Sequence, residues 1–120
     1  MPEHATTVDI ARAFTEAWTG HHMDFAARYL AEDVVFDGPV NHTRGKNAYI
    51  EALNRFAQAV TGLKMLAAFG DDRQALIMYD VTTGPFGTLT CAELLMFRDG
   101  KIGTDLLTFN TYPMRKAQGG

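Results

Sequence analysis

The fold of this chain is decided by one stretch, Ala92-Glu93-Leu94-Leu95-Met96-Phe97-Arg98-Asp99-Gly100-Lys101-Ile102. In it, an apolar run is followed by an Asp-Gly pair and then by a second apolar run. This pattern predicts a β-hairpin with a type I′ turn, because that turn needs a positive φ angle at both central residues and Asp-Gly supplies it readily. The hairpin sorts side chains onto two faces of a sheet, and Glu93 falls among the apolar side chains of one face.

Length and composition are those of one ordinary globular domain. The 120 residues are 47% hydrophobic and 21% charged, and a chain of this length buries enough surface to fold without disulfides. We therefore expect a single domain over residues 1–120, with flexible segments at 1–6 and 114–120.

Charge and cysteine content exclude several classes of function. The net charge is −3 and the sequence has no Lys/Arg cluster, which argues against a nucleic acid or an anionic membrane as partner. The single cysteine, Cys91, cannot form a disulfide within the chain and gives no zinc-finger spacing, so we expect no metal. The N-terminal residues lack a secretion-signal pattern, and no apolar run approaches the roughly 18 residues of a membrane span. These features predict a cytoplasmic protein.

The order of the predicted elements indicates the fold class. Apolar residues at helical spacing predict three helices, at residues 7–19, 24–30 and 46–60. One short strand is predicted at 34–37, and four longer strands at 63–69, 74–83, 88–98 and 101–111. Helices followed by a run of antiparallel strands predict an α+β fold, with helices packed on one face of a sheet.

Strand register then brings two carboxylates together. If Arg98 pairs with Lys101 across the Asp-Gly turn, and Thr83 with Thr88 across a four-residue loop, then Glu93 and Asp80 become diagonal neighbours on one face. A slip of one residue in the 84–87 turn would place them on opposite faces.

Both faces of the predicted sheet are rich in apolar residues, so both need cover. The three helices suffice for one face. We expect a second copy of the chain to cover the other face in a two-fold symmetric homodimer. The residues predicted for that outer face are Ile77, Tyr79, Leu94, Met96, Leu107 and Phe109.

Four features follow one another within residues 7–112: Asp24 in a short helix, Leu30-Ala31-Glu32-Asp33-Val34-Val35-Phe36, Gly45-Lys46 opening a helix, and Phe97-Arg98-Asp99-Gly100-Lys101-Ile102 in a long meander. In this order they show a resemblance to the SnoaL-like branch of the nuclear transport factor 2-like superfamily. It implies a cone-shaped half-barrel, also called cystatin-like, in which a curved mixed or antiparallel sheet wraps three helices around a cavity. Members of the superfamily are commonly homodimers. They include steroid Δ-isomerases, polyketide cyclases, epoxide hydrolases, dehydratases and proteins that only bind.

The ketosteroid isomerase branch offers a residue-by-residue comparison. Where those enzymes carry an aspartate base before Pro-Val, this chain has Gly38. Where they carry a tyrosine donor on the first helix, the match is Phe14, and where they carry a second acid donor, the match is Glu93. One role of three is retained. No match to the Asp-Arg-Asp constellation of the epoxide hydrolases is found.

Candidate site residues follow from the predicted faces and from this resemblance. A carboxyl group in an apolar cavity suits proton transfer, so we assign proton carriers to Glu93 and Asp80, with Asp37 and His42 as further candidates near the open end. The alternatives are a structural Glu93, a solvated Asp80, a turn-forming Asp37 and a surface His42. The expected cavity walls are Phe14, Trp18, Tyr29, Tyr49, Phe56, Met78, Cys91, Leu95, Leu106 and Thr108.

Three functions remain open from the sequence. The first is acid/base catalysis of an isomerase, cyclase or dehydratase type on a small hydrophobic molecule, which needs no cofactor. The second is a non-catalytic protein that binds a small ligand or serves as a structural dimer. The third is a protein–protein adaptor.

Overall fold

The computed structural model describes residues 6–117, which form four helices and one six-stranded sheet. The helices are α1 (Thr7–Thr19), α2 (Met23–Arg28), α3 (Lys46–Ala57) and α4 (Tyr112–Ala117). The strands are β1 (Leu30–Asp37), β2 (His42–Arg44), β3 (Val60–Gly70), β4 (Gln74–Thr83), β5 (Gly87–Arg98) and β6 (Lys101–Phe109). The predicted α+β class and curved mixed sheet are confirmed: β1 runs parallel to β6 and every other pair is antiparallel.

The Asp99-Gly100 turn forms as predicted. Both residues have a positive φ, 54° at Asp99 and 77° at Gly100, which is the requirement of a type I′ turn. Arg98 pairs with Lys101 across it. The turn therefore fixes where β5 ends and β6 begins.

The loop between β4 and β5 is one residue shorter than predicted. Thr83 pairs with Gly87 rather than with Thr88. The Thr83 hydroxyl stabilises this loop, since it donates to the carbonyl of Gly87 at 2.8 Å and accepts from the N–H of Phe86 at 3.0 Å. The shift of one residue reverses the face that β4 presents to its neighbour.

A β-bulge in β6 changes the second register. Phe97 pairs with Ile102, but Met96 pairs with Thr104, so Gly103 is an extra residue on β6. From this point on, β6 side chains point to the face opposite the predicted one. Asp105, Leu107 and Phe109 lie on the inner face as a result, and Leu106 and Thr108 on the outer face.

The inner face of the sheet packs against the helices and forms the core. Ile77, Tyr79, Cys91, Leu95 and Ile102 are almost fully buried there, and α1 contributes Phe14 and Trp18. The predicted outer face was therefore wrong for Ile77, Tyr79, Leu107 and Phe109, which point inward, and right for Leu94 and Met96. The exposed apolar side chains of the outer face on β4–β6 are Leu76, Met78, Met96 and Leu106.

Several element boundaries differ from the predicted ones. The bounds of α1 are those predicted, and its N-cap is Thr6, whose side chain accepts from the N–H of Asp9 at 3.0 Å. β1 begins at Leu30 instead of 34, and α3 ends at Ala57 instead of 60. Of the ends predicted to be flexible, residues 114–117 belong to α4 and Thr6 caps α1, while residues 1–5 and 118–120 lie outside the described residues. No helix within 6–117 is long and apolar enough to cross a bilayer.

Candidate functional site

A cavity lies between the inner face of the sheet and the helices α1 and α3. It has a volume of about 70 Å³, counted as the space open to the centres of water molecules. Its walls are mostly aromatic and aliphatic, and the loop at 38–41 and Met114 of α4 complete them. The lining residues are Trp18, Phe36, Gly38, Pro39, Val40, Asn41, Tyr49, Ala52, Leu53, Phe56, Tyr79, Cys91, Glu93, Leu107, Phe109 and Met114.

Among the described residues that line this cavity, Glu93 is the one with a carboxyl group. It lies on β5 opposite Ile77 on one side and Leu107 on the other, and it is only 2% exposed. The hydroxyl of Tyr79 on β4 donates a hydrogen bond to its Oε1 at 2.6 Å. A short bond between buried partners fixes the orientation of the carboxyl group.

A second carboxyl group, Asp105 on β6, lies beside the first. Asp105 pairs with Leu95 and Glu93 pairs with Leu107, so the two acids are diagonal neighbours on the inner face. The hydroxyl of Tyr49 on α3 donates to Asp105 Oδ2. The other oxygen, Oδ1, is buried and has no hydrogen-bond partner among the described residues.

Burial is the largest influence on the pKa values of Asp105, Tyr49 and Tyr79. It raises the pKa of Asp105 well above the usual range; the charge of Glu93 raises that pKa further, and the hydrogen bond from Tyr49 lowers it. Burial and the neighbouring carboxylates also raise the pKa of Tyr49 and of Tyr79. Both hydroxyls therefore stay protonated at neutral pH and act as donors.

Cys91 lines the cavity as an unreactive thiol. Burial, followed by the charge of Glu93, raises its pKa from 9.0 to about 12. Only the thiolate is nucleophilic, so the predicted role of Cys91 as a wall residue suits this environment.

The cavity brings together five of the predicted site residues. Glu93, Trp18, Tyr49, Phe56 and Cys91 all line it. Three other predicted wall residues lie in the surrounding core. Phe14 and Leu95 are fully buried behind the lining, and Tyr29 packs against the core at the end of α2.

Four other predicted site residues lie on the outer face, away from the cavity. Asp80 accepts a hydrogen bond from the Thr90 hydroxyl at 2.6 Å on that face, so its predicted pairing with Glu93 was wrong. Met78, Leu106 and Thr108 were also wrongly placed, and their side chains point outward. The physical reason is the pair of one-residue shifts, at the 84–86 loop and at Gly103.

Asp37 and His42 are found at the rim of the cavity and not in it. They face each other across the β1–β2 hairpin, with 2.5 Å between Asp37 Oδ1 and His42 Nδ1, and both are exposed. They flank the loop 38–41, which lines the cavity.

Asp105 and Tyr79 were not predicted as members of the site, and Tyr79 was predicted for the outer face. One available signal was Gly103, because a glycine inside a strand often marks a bulge. No group of three or more potential metal-ligating side chains occurs within residues 6–117.

Comparison with known proteins identifies the family. A family model described as a SnoaL-like domain matches residues 11–103. A solved structure from Kribbella flavida DSM 17836 is 33% identical, with a TM-score of 0.90 over 96% of this chain and 95% of that chain. No curated protein sequence matches the chain.

Two more distant structures share the fold. A candidate ketosteroid isomerase from the same organism is 24% identical, with a TM-score of 0.73 over 87% of this chain and 77% of its own. An LEH-like epoxide hydrolase of M. tuberculosis is 21% identical, with a TM-score of 0.77 over 97% of this chain and 91% of its own. The resemblance seen in the sequence is thereby confirmed: the chain belongs to the SnoaL-like family and has the nuclear transport factor 2-like fold.

Proposed function

We propose that this protein catalyses proton transfer on a small apolar molecule, with Glu93 as the group that takes and returns the proton. The observation that carries this proposal is a buried carboxyl group at the wall of an otherwise apolar cavity, oriented by a 2.6 Å hydrogen bond from Tyr79. A fixed base in a site of low water content removes a proton from carbon more effectively than one in bulk water.

The simplest reaction of this type is a shift of a double bond. Glu93 takes a proton from the carbon beside a carbonyl group, which leaves an enolate, and returns the same proton to a carbon further along the chain. No co-reactant is consumed, so atoms and charge balance without a cofactor. Trp18 and Asn41 line the cavity and carry N–H groups that suit a carbonyl oxygen.

The cavity volume limits the size of the substrate. The space open to the centres of water molecules is about 70 Å³, which suits a small ring or a short chain. The proposal is therefore a small unsaturated ketone or a molecule of similar size.

The test uses small cyclic ketones as probes. We expect wild-type protein to accelerate the conversion of 3-cyclopenten-1-one to 2-cyclopenten-1-one, followed by ultraviolet absorbance, and to exchange the α-protons of cyclopentanone in D₂O, followed by NMR. Glu93→Gln should lower both rates by about 10²–10⁴-fold. Asp80→Asn is the matched control, because it removes a carboxylate from the outer face of the neighbouring strand. Equal rates with and without the wild-type protein, or equal rates for Glu93→Gln and wild type, would contradict the proposal.

A binding protein without catalysis is the second candidate. The cavity and its aromatic walls would serve it equally well. The same NMR experiment separates the two, because a binder broadens the signals of cyclopentanone without exchanging its protons.

We also propose that the functional unit is a homodimer formed through the outer face. The exposed Leu76, Met78, Met96 and Leu106 on three adjacent strands support this, because a contiguous apolar patch on a sheet face favours association. The molar mass in solution tests the proposal.

A further inference from the structure

Four side chains from four elements form one buried group, here called the carboxyl cluster: Tyr49, Tyr79, Glu93 and Asp105. Tyr79 donates to Glu93 and Tyr49 donates to Asp105, so each carboxyl group accepts a hydrogen bond from one tyrosine hydroxyl. The two acids are diagonal neighbours between these tyrosines. The cluster therefore has two carboxyl groups that accept hydrogen bonds, and the two tyrosine hydroxyls have already donated theirs.

No basic side chain lines the cavity beside the carboxyl cluster: within residues 6–117, the lining residues include no Lys, Arg or His. The groups that face Asp105 are Glu93 from β5 and Tyr49 from α3, while β1 presents the apolar Phe36 opposite it. Two ionised carboxylates side by side in such a place would repel each other strongly, so one of them must hold a proton.

One atom in the cluster lacks a hydrogen-bond partner. Asp105 is fully buried, its Oδ2 accepts from Tyr49, and its Oδ1 accepts from no donor among residues 6–117. A buried oxygen that can only accept, and that no donor reaches, lowers the stability of the folded protein. It is satisfied when it carries a proton of its own and donates to an acceptor beside it.

We propose that Asp105 is a positioning residue that permanently holds a proton on Oδ1 and donates it to the carboxylate of Glu93. This inference rests on the proposed function, because it explains how the carboxyl group of Glu93 is held in one orientation at the wall of an apolar cavity. The carboxylate of Glu93 then accepts two hydrogen bonds, one from the hydroxyl of Tyr79 and one from protonated Asp105. Asp105 neither gains nor loses a proton during the reaction; the substrate proton moves only to and from Glu93.

Infrared spectroscopy tests the protonation state without any need for activity. The spectrum of wild-type protein at neutral pH minus that of Asp105→Asn should contain the C=O band of one protonated carboxyl group. The same difference with Asp80→Asn should contain only ionised-carboxylate bands, and the protonated band should persist in Glu93→Gln. A protonated band that Glu93→Gln removes and Asp105→Asn keeps would overturn the assignment, as would the absence of any protonated band from the wild type.

The pH dependence of the ketone reaction tests the positioning role. Asparagine can still accept from Tyr49 and donate to Glu93, so Asp105→Asn should leave the acidic limb of the pH–rate profile within a few tenths of a pH unit of wild type. Asp105→Ala removes the donor, and the acidic limb should move to higher pH by about one unit or more. Identical limbs for both variants would contradict the positioning role.

The infrared experiment and the ketone assay can fail independently, so failure of this inference can be told from failure of the proposed function. If the protein does not act on the ketones, the proposed function fails while the infrared bands still decide where the proton lies. If Asp105→Ala does not fold, the pH–rate profile of Asp105→Asn tests the positioning role by itself. A large shift of its acidic limb would contradict that role, because asparagine keeps the donor.

Discussion

The inner and outer faces of strands β4 and β5 carry the same bond in two different settings. Inside, the hydroxyl of Tyr79 donates to Glu93 at 2.6 Å. Outside, the hydroxyl of Thr90 donates to the next residue of β4, Asp80, also at 2.6 Å. The hydroxyl–carboxylate geometry is the same, yet the first pair is buried beside a cavity and the second lies at the surface.

The difference lies in what surrounds each bond. Water screens the outer pair, so its electrostatic contribution is small. The inner pair is buried, and burial, followed by the charge of Glu93, raises the pKa of Tyr79, of Asp105 and of Cys91. A carboxylate therefore becomes a candidate for chemistry because of the face that it occupies, and not because of its hydrogen bond.

The largest effect that separates the two faces should be on stability. Ile77 is fully buried on the inner face and Leu76, its neighbour, is 49% exposed on the outer face. We expect Ile77→Ala to lower the free energy of unfolding by about 2–5 kcal/mol, through lost burial and the remaining cavity. Leu76→Ala should cost about 0.5 kcal/mol or less in the monomer. Urea denaturation of both variants, at a protein concentration at which light scattering gives the mass of a single chain, measures the difference, and similar losses for the two would mean that the faces are assigned wrongly.

The sequence predicts the elements well because local signals specify them. The spacing of Phe14 and Trp18 identifies α1, and the positive φ angles needed at residues 99 and 100 explain the Asp-Gly turn. These signals act over a few residues, so no knowledge of the rest of the chain is required.

The register of the sheet could not be predicted in the same way. Both faces of β4–β6 are apolar in the sequence, so alternation gives no clue to which residues point inward. The register depends instead on a loop that is shorter by one residue and on the extra residue Gly103, each of which reverses a face. That is why Glu93 was predicted correctly on the inner face, while the carboxyl group beside it was predicted to be Asp80 and is found to be Asp105.

The second effect is a dependence of stability on pH that the inner face alone should show. The pKa of Asp105 is raised in the folded protein above the ordinary value of 3.8. Between 3.8 and the raised pKa the folded state therefore holds one more proton than the unfolded state, so the free energy of unfolding falls as pH rises. The slope attributable to Asp105 should approach about 1.4 kcal/mol per pH unit, the value for one proton.

Two variants isolate this contribution. The difference in unfolding free energy between wild type and Asp105→Asn should change steadily as pH rises from about 4 to 7, in favour of the variant. The same measurement on Asp80→Asn gives the comparison for a carboxyl group on the outer face. Parallel curves for wild type and Asp105→Asn would mean that Asp105 ionises as easily in the folded protein as in the unfolded one.

The smallest expected effect is on the association of two copies of the chain through the outer face. If a second copy covers the exposed apolar side chains, light scattering should give twice the chain mass of 13.2 kDa. Met78→Lys places a charge in the centre of that patch and should weaken the dimer by about tenfold or more, because an unpaired charge at a buried interface is costly. Asn54→Lys, on the exposed side of α3, adds the same charge elsewhere and should leave the mass unchanged. A monomeric wild type, or a dimer that Met78→Lys leaves intact, would show that the outer face remains in contact with water, and the apolar outer face would then serve no interface between copies of this chain.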